Sequence, residues 1–415
     1  MICIVEHFRI QRILLLTIGI WPYNQSKFVR FQFSLLSVVT NSYIIFQLTQ
    51  FITSELTVER IIKILSTIFF SFLCLIHQVS YWINANVVKC FLERLQHVCN
   101  DLKDENEIAI IKKYATSAEY ISILVLLTGL FSLDYFLFFK QTFNFGLFAA
   151  CWAFIVILMP RIFSTFLLVN ISRPFYNFQF ITEYFIDKEK NFYLILLHAY
   201  ASAYISLTAL IGGGLIGCAY LKHICGLFSI ASYNFIYSYR IGQSMIVNIH
   251  EKTNQWNKME KKIRLAVDAH RTAIELSEFF MSSFNGTYFC LTVLSILIVC
   301  LNLCEVFQTA LLRDKVEEFL VHLIFATAVL LYWFLANFSG EEIMEHYNYM
   351  FSTAYNVQWY TAPIRVQKLI LFLLQRSCKM YGLKTGGLFI ASLEGFASLS
   401  TASISYFTVI YSVQK

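Results

Sequence analysis

Charged residues are scarce in this chain, and proline is scarcer still. Only 14% of the 415 residues are charged, whereas a soluble domain typically carries about 25%. Of the four prolines, only Pro160 falls inside a long apolar segment. The shortage of charge excludes a water-soluble protein of this size. With 58% hydrophobic residues, the chain is predicted to be an integral membrane protein.

Motifs for catalysis and metal binding are missing as well. The 11 cysteines form no CxxC pair and no zinc-ligand spacing, and no HExxH, Walker or GxSxG motif occurs. His346 follows Glu341, Glu342 and Glu345, but a solvated face at a helix end is favoured over a metal site. The net charge of +6 comes without a basic tract, so nothing indicates nucleic-acid binding. We predict no enzyme, cofactor or metal site.

Long apolar segments predict an all-α, polytopic membrane protein with seven transmembrane helices in a single domain. A spanning helix needs about 20 mainly apolar residues. The predicted spans are residues 31–53, 60–84, 117–169, 193–221, 280–306, 319–338 and 388–411. An amphipathic helix over residues 363–381 is predicted to lie in the cytoplasm. The third segment could hold one helix or two, so hydropathy alone allows seven or eight spans.

The distribution of positive charge selects seven spans. With the N-terminus in the cytoplasm, most of the 32 lysines and arginines lie in cytoplasmic segments, as the positive-inside rule requires. The C-terminus is then extracellular. Asn170 begins an Asn-Ile-Ser sequon in a loop predicted to be external, which makes it a glycosylation candidate.

Three shorter features also suggest structure. Residues 9–22 imitate a signal peptide but lack a cleavage site, and they predict an uncleaved interfacial or re-entrant helix. Gly212, Gly213 and Gly214 are predicted to allow close helix packing rather than a helix break. We expect no buried charges within the spans. A secondary transporter would need such charges or paired broken helices, so their lack argues against that class.

The last predicted span has features typical of a pore. At helical spacing, Ser405, Val409, Ser412 and Val413 fall on one face. Four copies of this face around an axis would form a narrow pore with an apolar constriction, which can gate by dewetting. Hydroxyls alone are weak support, because Ser and Thr also bond back to their own helix.

The C-terminal region resembles the insect odorant receptors, in the style of a hymenopteran member. It contains the W-Y-x-x-P of Trp359 to Pro363, the Gln367-Lys368 and Arg376-Ser377 pairs, and a closing S-Y-F at Ser405. Further similar pieces occur over most of the chain: G-x-W-P near the start, NISRP, EKNFYLILLH, HICGLFSIASY and DAHRTAI. A gustatory receptor-like channel is the first alternative, and a membrane transporter is a weaker one.

The resemblance implies an odorant-gated, non-selective cation channel that forms a heterotetramer with the odorant co-receptor in the plasma membrane of a sensory neuron dendrite. It places Val409 and Val413 at the gate, with Ser412 beside them. The cytoplasmic helix would form an anchor between subunits. The anchor candidates are Trp359, Pro363, Gln367, Lys368 and Arg376.

The resemblance also implies a pocket for a small apolar odorant between spans two, three, four and six. The candidates for its lining are Phe69, Phe72, Met159, Phe163, Tyr200, Tyr204 and Phe325. For each of them, a lipid-facing or core-packing position is an equal alternative. The stretch around residues 125–147 makes the third segment longer than the family pattern, as a genuine insertion or a retained intron would.

Overall fold

The computed structural model describes residues 4–53, 55, 57–138, 182–187, 190–243, 252–310, 316–357 and 359–414. Almost all of these residues are helical. In chain order the helices are α1 (Ile4–His7), α2 (Arg9–Thr17), α3 (Lys27–Leu48), α4 (Gln50–Thr53), α5 (Val58–Ile83), α6 (Ala85–Asn100), α7 (Glu105–Phe138), α8 (Phe192–Gln243), α9 (Lys252–Ala310), α10 (Val316–Asn356), α11 (Ile364–Ser377) and α12 (Leu393–Gln414). Met159, Phe163 and Asn170 lie outside the described residues.

Five of the described helical segments are long and apolar enough to cross a membrane by length and composition. They are Lys27–Thr53, Val58–Ile83, Leu194–Arg240, Trp256–Ala310 and Glu318–Asn356. Helices α8, α9 and α10 have 52, 59 and 41 residues. At 1.5 Å per residue they are about 78, 88 and 61 Å long, well beyond the roughly 30 Å of a hydrocarbon core. They therefore project from the membrane as continuous helices.

Helix starts on the first two long spans follow ordinary capping chemistry. The Ser26 hydroxyl accepts a hydrogen bond from the Val29 backbone N–H at 3.3 Å, which caps α3. The Thr57 hydroxyl does the same for the Arg60 N–H at 3.3 Å and caps α5. Such caps satisfy backbone N–H groups that have no partner inside the helix. The two spans thus begin where the local sequence specifies.

The N-terminal helix α2 packs among the other helices. The Gln11 side chain is buried and donates to the Ser122 hydroxyl of α7 at 2.8 Å. Leu14 and Leu15 lie against Gly212 of α8, where an added Cβ would approach them to 3.2 and 3.1 Å. The helix is therefore anchored by α7 and α8.

The last helix begins later than the sequence predicted. Residues 384–390 form a two-stranded antiparallel hairpin, with β1 (Lys384–Thr385) paired to β2 (Phe389–Ile390). Gly386 and Gly387 turn the chain at φ values of +63° and +71°, which glycine adopts without a steric penalty. Helix α12 then starts at Leu393, whose N–H donates to the Glu341 carboxylate at 2.9 Å. Residues 388–392 are therefore not part of the helix.

The amphipathic helix α11 is shorter than the predicted range 363–381, because it ends at Ser377. Tyr381 leaves the helical path to stack on Tyr347 of α10, with ring centroids 4.8 Å apart, and to hydrogen-bond Ser277 of α9. Below, the side of the bundle that carries α11 is called the α11 end. The side where α4 joins α5 is called the α4 end.

Candidate functional site

Helices α5 and α10 run parallel and meet along a regular seam. Three contacts define it, and from one contact to the next the residue on each helix advances by seven positions: Lys63–Glu318, Phe70–Phe325 and His77–Tyr332. Seven residues of helix cover about 10 Å. The seam therefore has three levels, about 10 Å apart, which descend from the α4 end towards the α11 end.

The first level is ionic. The Lys63 ammonium lies 3.0 Å from Glu318 and 3.7 Å from Glu305, whose side chain is completely buried. His322 lies 3.8 Å from the same Glu305 oxygen and 3.1 Å from the Asn302 side chain. The expectation that the spans contain no buried charge is wrong. Both charges lie near the ends of their predicted spans, where sequence alone suggests side chains that reach into water.

The second level is aromatic. Phe70 and Phe325 meet edge to face with ring centroids 4.6 Å apart, a favourable arrangement for aromatic pairs. Phe69 is half-buried and borders two apolar clusters, one around Leu73 and one that includes Phe407 of α12. Phe70 was missed in the sequence, although its spacing from Lys63 and His77 could have indicated a common face.

Five of the seven predicted pocket residues lie on α5, α8 and α10. Phe325 meets Phe70 at the α5–α10 seam, whereas Phe69 borders the clusters around Leu73 and Phe407. Phe72 is half-buried on α5, one turn from Phe69. Tyr200 and Tyr204 are half-buried on α8, one turn apart. Their role in ligand binding stays a prediction.

The third level is formed by His77, Tyr81 and Tyr332 against α8. The His77 ring stacks on Tyr81 at 5.1 Å and meets the edge of Tyr332 at 6.2 Å. A Cβ at Gly213 would come within 2.3 Å of the imidazole, so only glycine permits this approach. The prediction that the glycine triplet serves close packing is confirmed. The Tyr81 hydroxyl also donates to the Gly213 carbonyl at 2.7 Å.

Helix α12 has two distinct faces. Leu399, Ser403 and Phe407 are buried against the bundle, and Phe407 packs on Phe307 of α9 with ring centroids 4.7 Å apart. Ser405 and Val409 lie on the opposite face and are exposed, Val409 at 61%. The faces are about 180° apart, since each helical residue advances about 100°.

Hydroxyls on the exposed face of α12 bond to their own helix. The Ser405 hydroxyl donates to the Thr401 carbonyl at 2.9 Å, and the Ser412 hydroxyl donates to the Val409 carbonyl at 2.8 Å. The face therefore presents methyl and methylene groups as well as hydroxyl oxygens. Three of the residues predicted to line a pore, Ser405, Val409 and Ser412, lie on the side of α12 that the described part of the chain leaves uncovered. Val413 follows Ser412 on the same helix.

Helix α11 is fixed at both ends. Trp359 lies in a 3₁₀ turn, and Pro363 directly precedes α11, as predicted for a helix start. The Gln367 amide donates to the carbonyls of Tyr360 and Ala362 at 2.7 and 2.8 Å. The Arg376 carbonyl accepts from the Tyr347 hydroxyl at 2.8 Å. These bonds hold the connecting turn and the last turn of the helix in place.

The outer face of α11 has no covering within the described chain. Lys368 is exposed there, and so are three large apolar side chains, Ile364, Leu371 and Phe372, at 65%, 57% and 68%. An exposed apolar stripe of this kind is typical of an interaction surface. All five predicted anchor residues therefore lie on or next to a helix that has one uncovered face in the described part of the chain.

Polar side chains connect the helices at the α11 end. Lys222 of α8 forms a largely buried ion pair with Glu342 of α10. The Tyr114 hydroxyl of α7 lies 2.5 Å from His346 and 2.7 Å from Ser229. The interpretation of His346 as part of a solvated face is wrong, because the imidazole is half-buried between α7 and α10. No group of three or more metal-ligating side chains occurs in the part of the chain that the structure describes.

A second connection lies at the start of α7. The Lys262 ammonium donates to the Asp104 carboxylate at 3.1 Å and to the Asn234 amide oxygen at 2.9 Å. Partial burial raises the pKa of Asp104, but hydrogen bonds from Lys262 and Asn106 outweigh it, and the net pKa lies below the usual value of 3.8. Asp104 therefore remains an acceptor for Lys262 well below neutral pH.

Comparison with solved structures defines the class of fold. The chain matches the insect olfactory receptor OR5 from Machilis hrabei, alone and in complex with eugenol, with TM-scores of 0.73 and 0.72. In both cases the match covers 99% of this chain and 97% of OR5, at 14% identity. The fold is therefore that of a polytopic all-α membrane protein with seven transmembrane helices, as predicted.

Sequence comparison places the chain in a family. The family described as 7tm Odorant receptor matches residues 57–404, and the chain belongs to it. Odorant receptor 22c of Drosophila melanogaster is 22% identical over 220 residues. That match spans about half the length of each protein, 52% of this chain and 52% of the relative. The resemblance seen in the sequence is confirmed.

Proposed function

We propose that this chain is the ligand-tuning subunit of an odorant-gated, non-selective cation channel that it forms with the odorant co-receptor. The observation that carries the proposal is the division of α12 into a buried face and an opposite, uncovered face. The uncovered face combines Ser405, Val409 and Ser412, and Val413, at helical spacing from Val409, is proposed to belong to it. Around a shared axis, such faces form a polar passage with an apolar constriction.

The uncovered stripe on α11 supports an oligomer. Its apolar side chains, together with exposed Lys368, offer a second subunit a mixed surface outside the hydrocarbon core. Trp359, Pro363 and Gln367 hold the turn before the stripe, and Arg376 lies near its end. Contacts at α11 would hold subunits together while the α12 faces meet at the axis.

The proposed orientation follows the distribution of charge. Most lysines and arginines flank the α11 end, so that end lies in the cytoplasm, with the N-terminus there and the C-terminus outside. The α4 end then faces the external medium, in the plasma membrane of the sensory dendrite. A small odorant entering from outside would meet the half-buried aromatic side chains Phe69, Phe72 and Phe325. Tyr200 and Tyr204 of α8, with Met159 and Phe163, complete the proposed lining, and Asn170 is the proposed glycosylation site.

The eugenol complex of OR5 supports a small, mainly apolar ligand for this chain. The OR5 receptor, which shares this fold, has been solved in complex with eugenol, a small aromatic molecule. The α5–α10 seam of this chain likewise offers an apolar, aromatic level between two polar ones. Sites of this kind bind mainly through shape and apolar area.

The test is current through cells that express this chain with and without the co-receptor. The panel comprises eugenol, hydrocarbons, esters, alcohols and other aromatics. We expect a cation current only when both chains are present. Val409→Ala should change the ion selectivity or increase the leak, because it widens the constriction, whereas Ile404→Ala on the flank of α12 should not. Silence across the panel despite expression at the cell surface, or equal effects of the two substitutions, would contradict the pore assignment.

A further inference from the structure

The His77 side chain is completely buried in the α5–α10 seam, with an exposed fraction of 0%. An imidazole always carries at least one N–H donor, and in its neutral form also one acceptor. Within the described residues, neither ring nitrogen of His77 has a hydrogen-bond partner. A buried polar group in this state is costly and calls for an explanation.

The ring is held in place by packing. Tyr81 covers one face of the imidazole, Tyr332 contacts it with its edge, and the Gly213 backbone lies against the Cε1 and Nδ1 atoms. The Tyr81 hydroxyl already donates its hydrogen to the Gly213 carbonyl. His77 is therefore a rigidly positioned hydrogen-bonding group, and rigid groups bind a ligand with little loss of conformational entropy.

The position of His77 connects it to the proposed odorant pocket. It lies two helical turns below Phe70 on the same face of α5, just as Tyr332 lies two turns below Phe325 on α10. Leu73 and Cys74, which lie between, are buried among apolar side chains. The imidazole of His77 therefore lies about 10 Å along the seam from the aromatic level, beyond these apolar side chains.

We propose that His77 is the hydrogen-bonding anchor at the inner end of the odorant pocket. The ligands it selects are small, mostly apolar molecules with one terminal oxygen, such as an alcohol or a ketone, and the oxygen binds the imidazole. This inference rests on the proposed function, since it assigns the ligand class of that same pocket. A hydrocarbon of equal shape fills the aromatic level but leaves His77 unpaired.

The test compares ligands that differ only in the oxygen. Octanol is paired with nonane, in which a methyl group replaces the hydroxyl. Acetophenone is paired with α-methylstyrene, in which a methylene group replaces the carbonyl oxygen. Binding is measured as the ligand-induced rise in the unfolding temperature of the purified receptor in detergent, and activation as current in cells with the co-receptor.

The wild-type receptor should bind each oxygenated ligand about tenfold more tightly than its partner, as one well-placed hydrogen bond allows. His77→Leu should abolish this ratio by weakening only the oxygenated ligands. His77→Gln, which keeps a donor and an acceptor, should restore part of it. Cys74→Ala, one turn away, should weaken both members of a pair equally and preserve the ratio.

Two results would overturn the inference. One is a wild-type receptor that binds nonane and α-methylstyrene as tightly as their partners, which needs no variant to establish. The other is a His77→Gln or His77→Leu protein that folds and keeps the wild-type ratio. A third result separates the two proposals. If the receptor binds the oxygenated ligands more tightly than their partners but no ligand evokes a current, the proposed channel is refuted and the role of His77 stands.

Discussion

Side-chain burial differs between the two ends of α8. Towards the α4 end, residues 194–208 are fully buried only at every third or fourth position. Towards the α11 end, residues 209–232 are nearly all buried, and Lys222 connects α8 to α10 through an ion pair. Dense packing with satisfied polar groups resists local opening, whereas half-buried surface yields more easily. The half of the bundle at the α11 end is therefore the rigid half, and the half at the α4 end is the more adaptable one.

The largest expected effect comes from breaking the buried ion pair of the rigid half. Lys222→Met leaves the Glu342 carboxylate charged, largely buried and without its partner. Such a loss typically costs roughly 3–5 kcal/mol. We expect a marked fall in the unfolding temperature in detergent. The matched control is Lys89→Met, which removes an exposed ion pair to Glu93 at 3.8 Å and should cost less than about 1 kcal/mol.

If the two lysine variants unfold at the same temperature, the dense half is not what stabilises the bundle. A double variant of Lys222→Met with Glu342→Leu sharpens the test. It removes both charges, so it should recover much of the stability that the single substitution loses.

A smaller effect is expected at the boundary between the two halves. Gly213→Ala places a methyl group 2.3 Å from the His77 ring and 2.9 Å from Tyr81. Overpacking of this kind costs about 1–3 kcal/mol. Gly286→Ala is the control, because a Cβ there meets nothing within 4 Å and alanine favours the helix. Unfolding of the two variants in parallel should show opposite signs, and equal behaviour would contradict the close packing of α5 on α8.

The link from α10 to α11 is expected to contribute less. Tyr347→Phe removes the hydroxyl that donates to the Arg376 carbonyl and leaves the buried ring in place. A single hydrogen bond of this kind contributes about 1 kcal/mol. Tyr349→Phe, on an exposed tyrosine two residues away, should leave the unfolding temperature unchanged. Equal unfolding temperatures for the two variants would mean that α11 is held by its apolar face alone.

The smallest effect depends on pH. The folded-state pKa of Asp104 lies below its usual value, so its interaction with Lys262 stabilises the folded protein above about pH 4 and is lost as the pH falls further. The destabilisation by Asp104→Asn, measured against wild type, should therefore be small at pH 7 and shrink towards zero in acid. Lys262→Met should abolish this pH-dependent difference. A difference that grows in acid would have the wrong sign.

Much of the fold was predictable because its signals are local. Apolar runs of sufficient length indicated the spans, and the helical spacing of Ser405 and Val409 indicated a common face on α12. The glycine triplet indicated close packing, since glycine brings helices together. Each inference needs only the period of a helix and the identity of nearby residues.

The site itself was harder to predict, because it depends on register between distant segments. Phe70 and Phe325 meet only because α5 and α10 run parallel with a fixed offset, and no local pattern specifies that offset. The contacts of His346 and Glu305 were missed for the same reason: their partners lie on other helices. In a sequence where nearly every face is apolar, polarity cannot indicate which side of a helix is buried.

The unbroken length of α9 has a mechanical consequence. A rod of about 88 Å that pivots near its middle moves each tip by about 2 Å for a tilt of 3°, and the two tips move in opposite directions. Phe307, close to one tip, touches Phe407 of α12, whereas Lys262 lies near the other. A ligand that enters the seam near Lys63 and Glu305 and tilts α9 would therefore displace α12. The opposite tip of α9, near Lys262, would move in the other direction at the far side of the membrane.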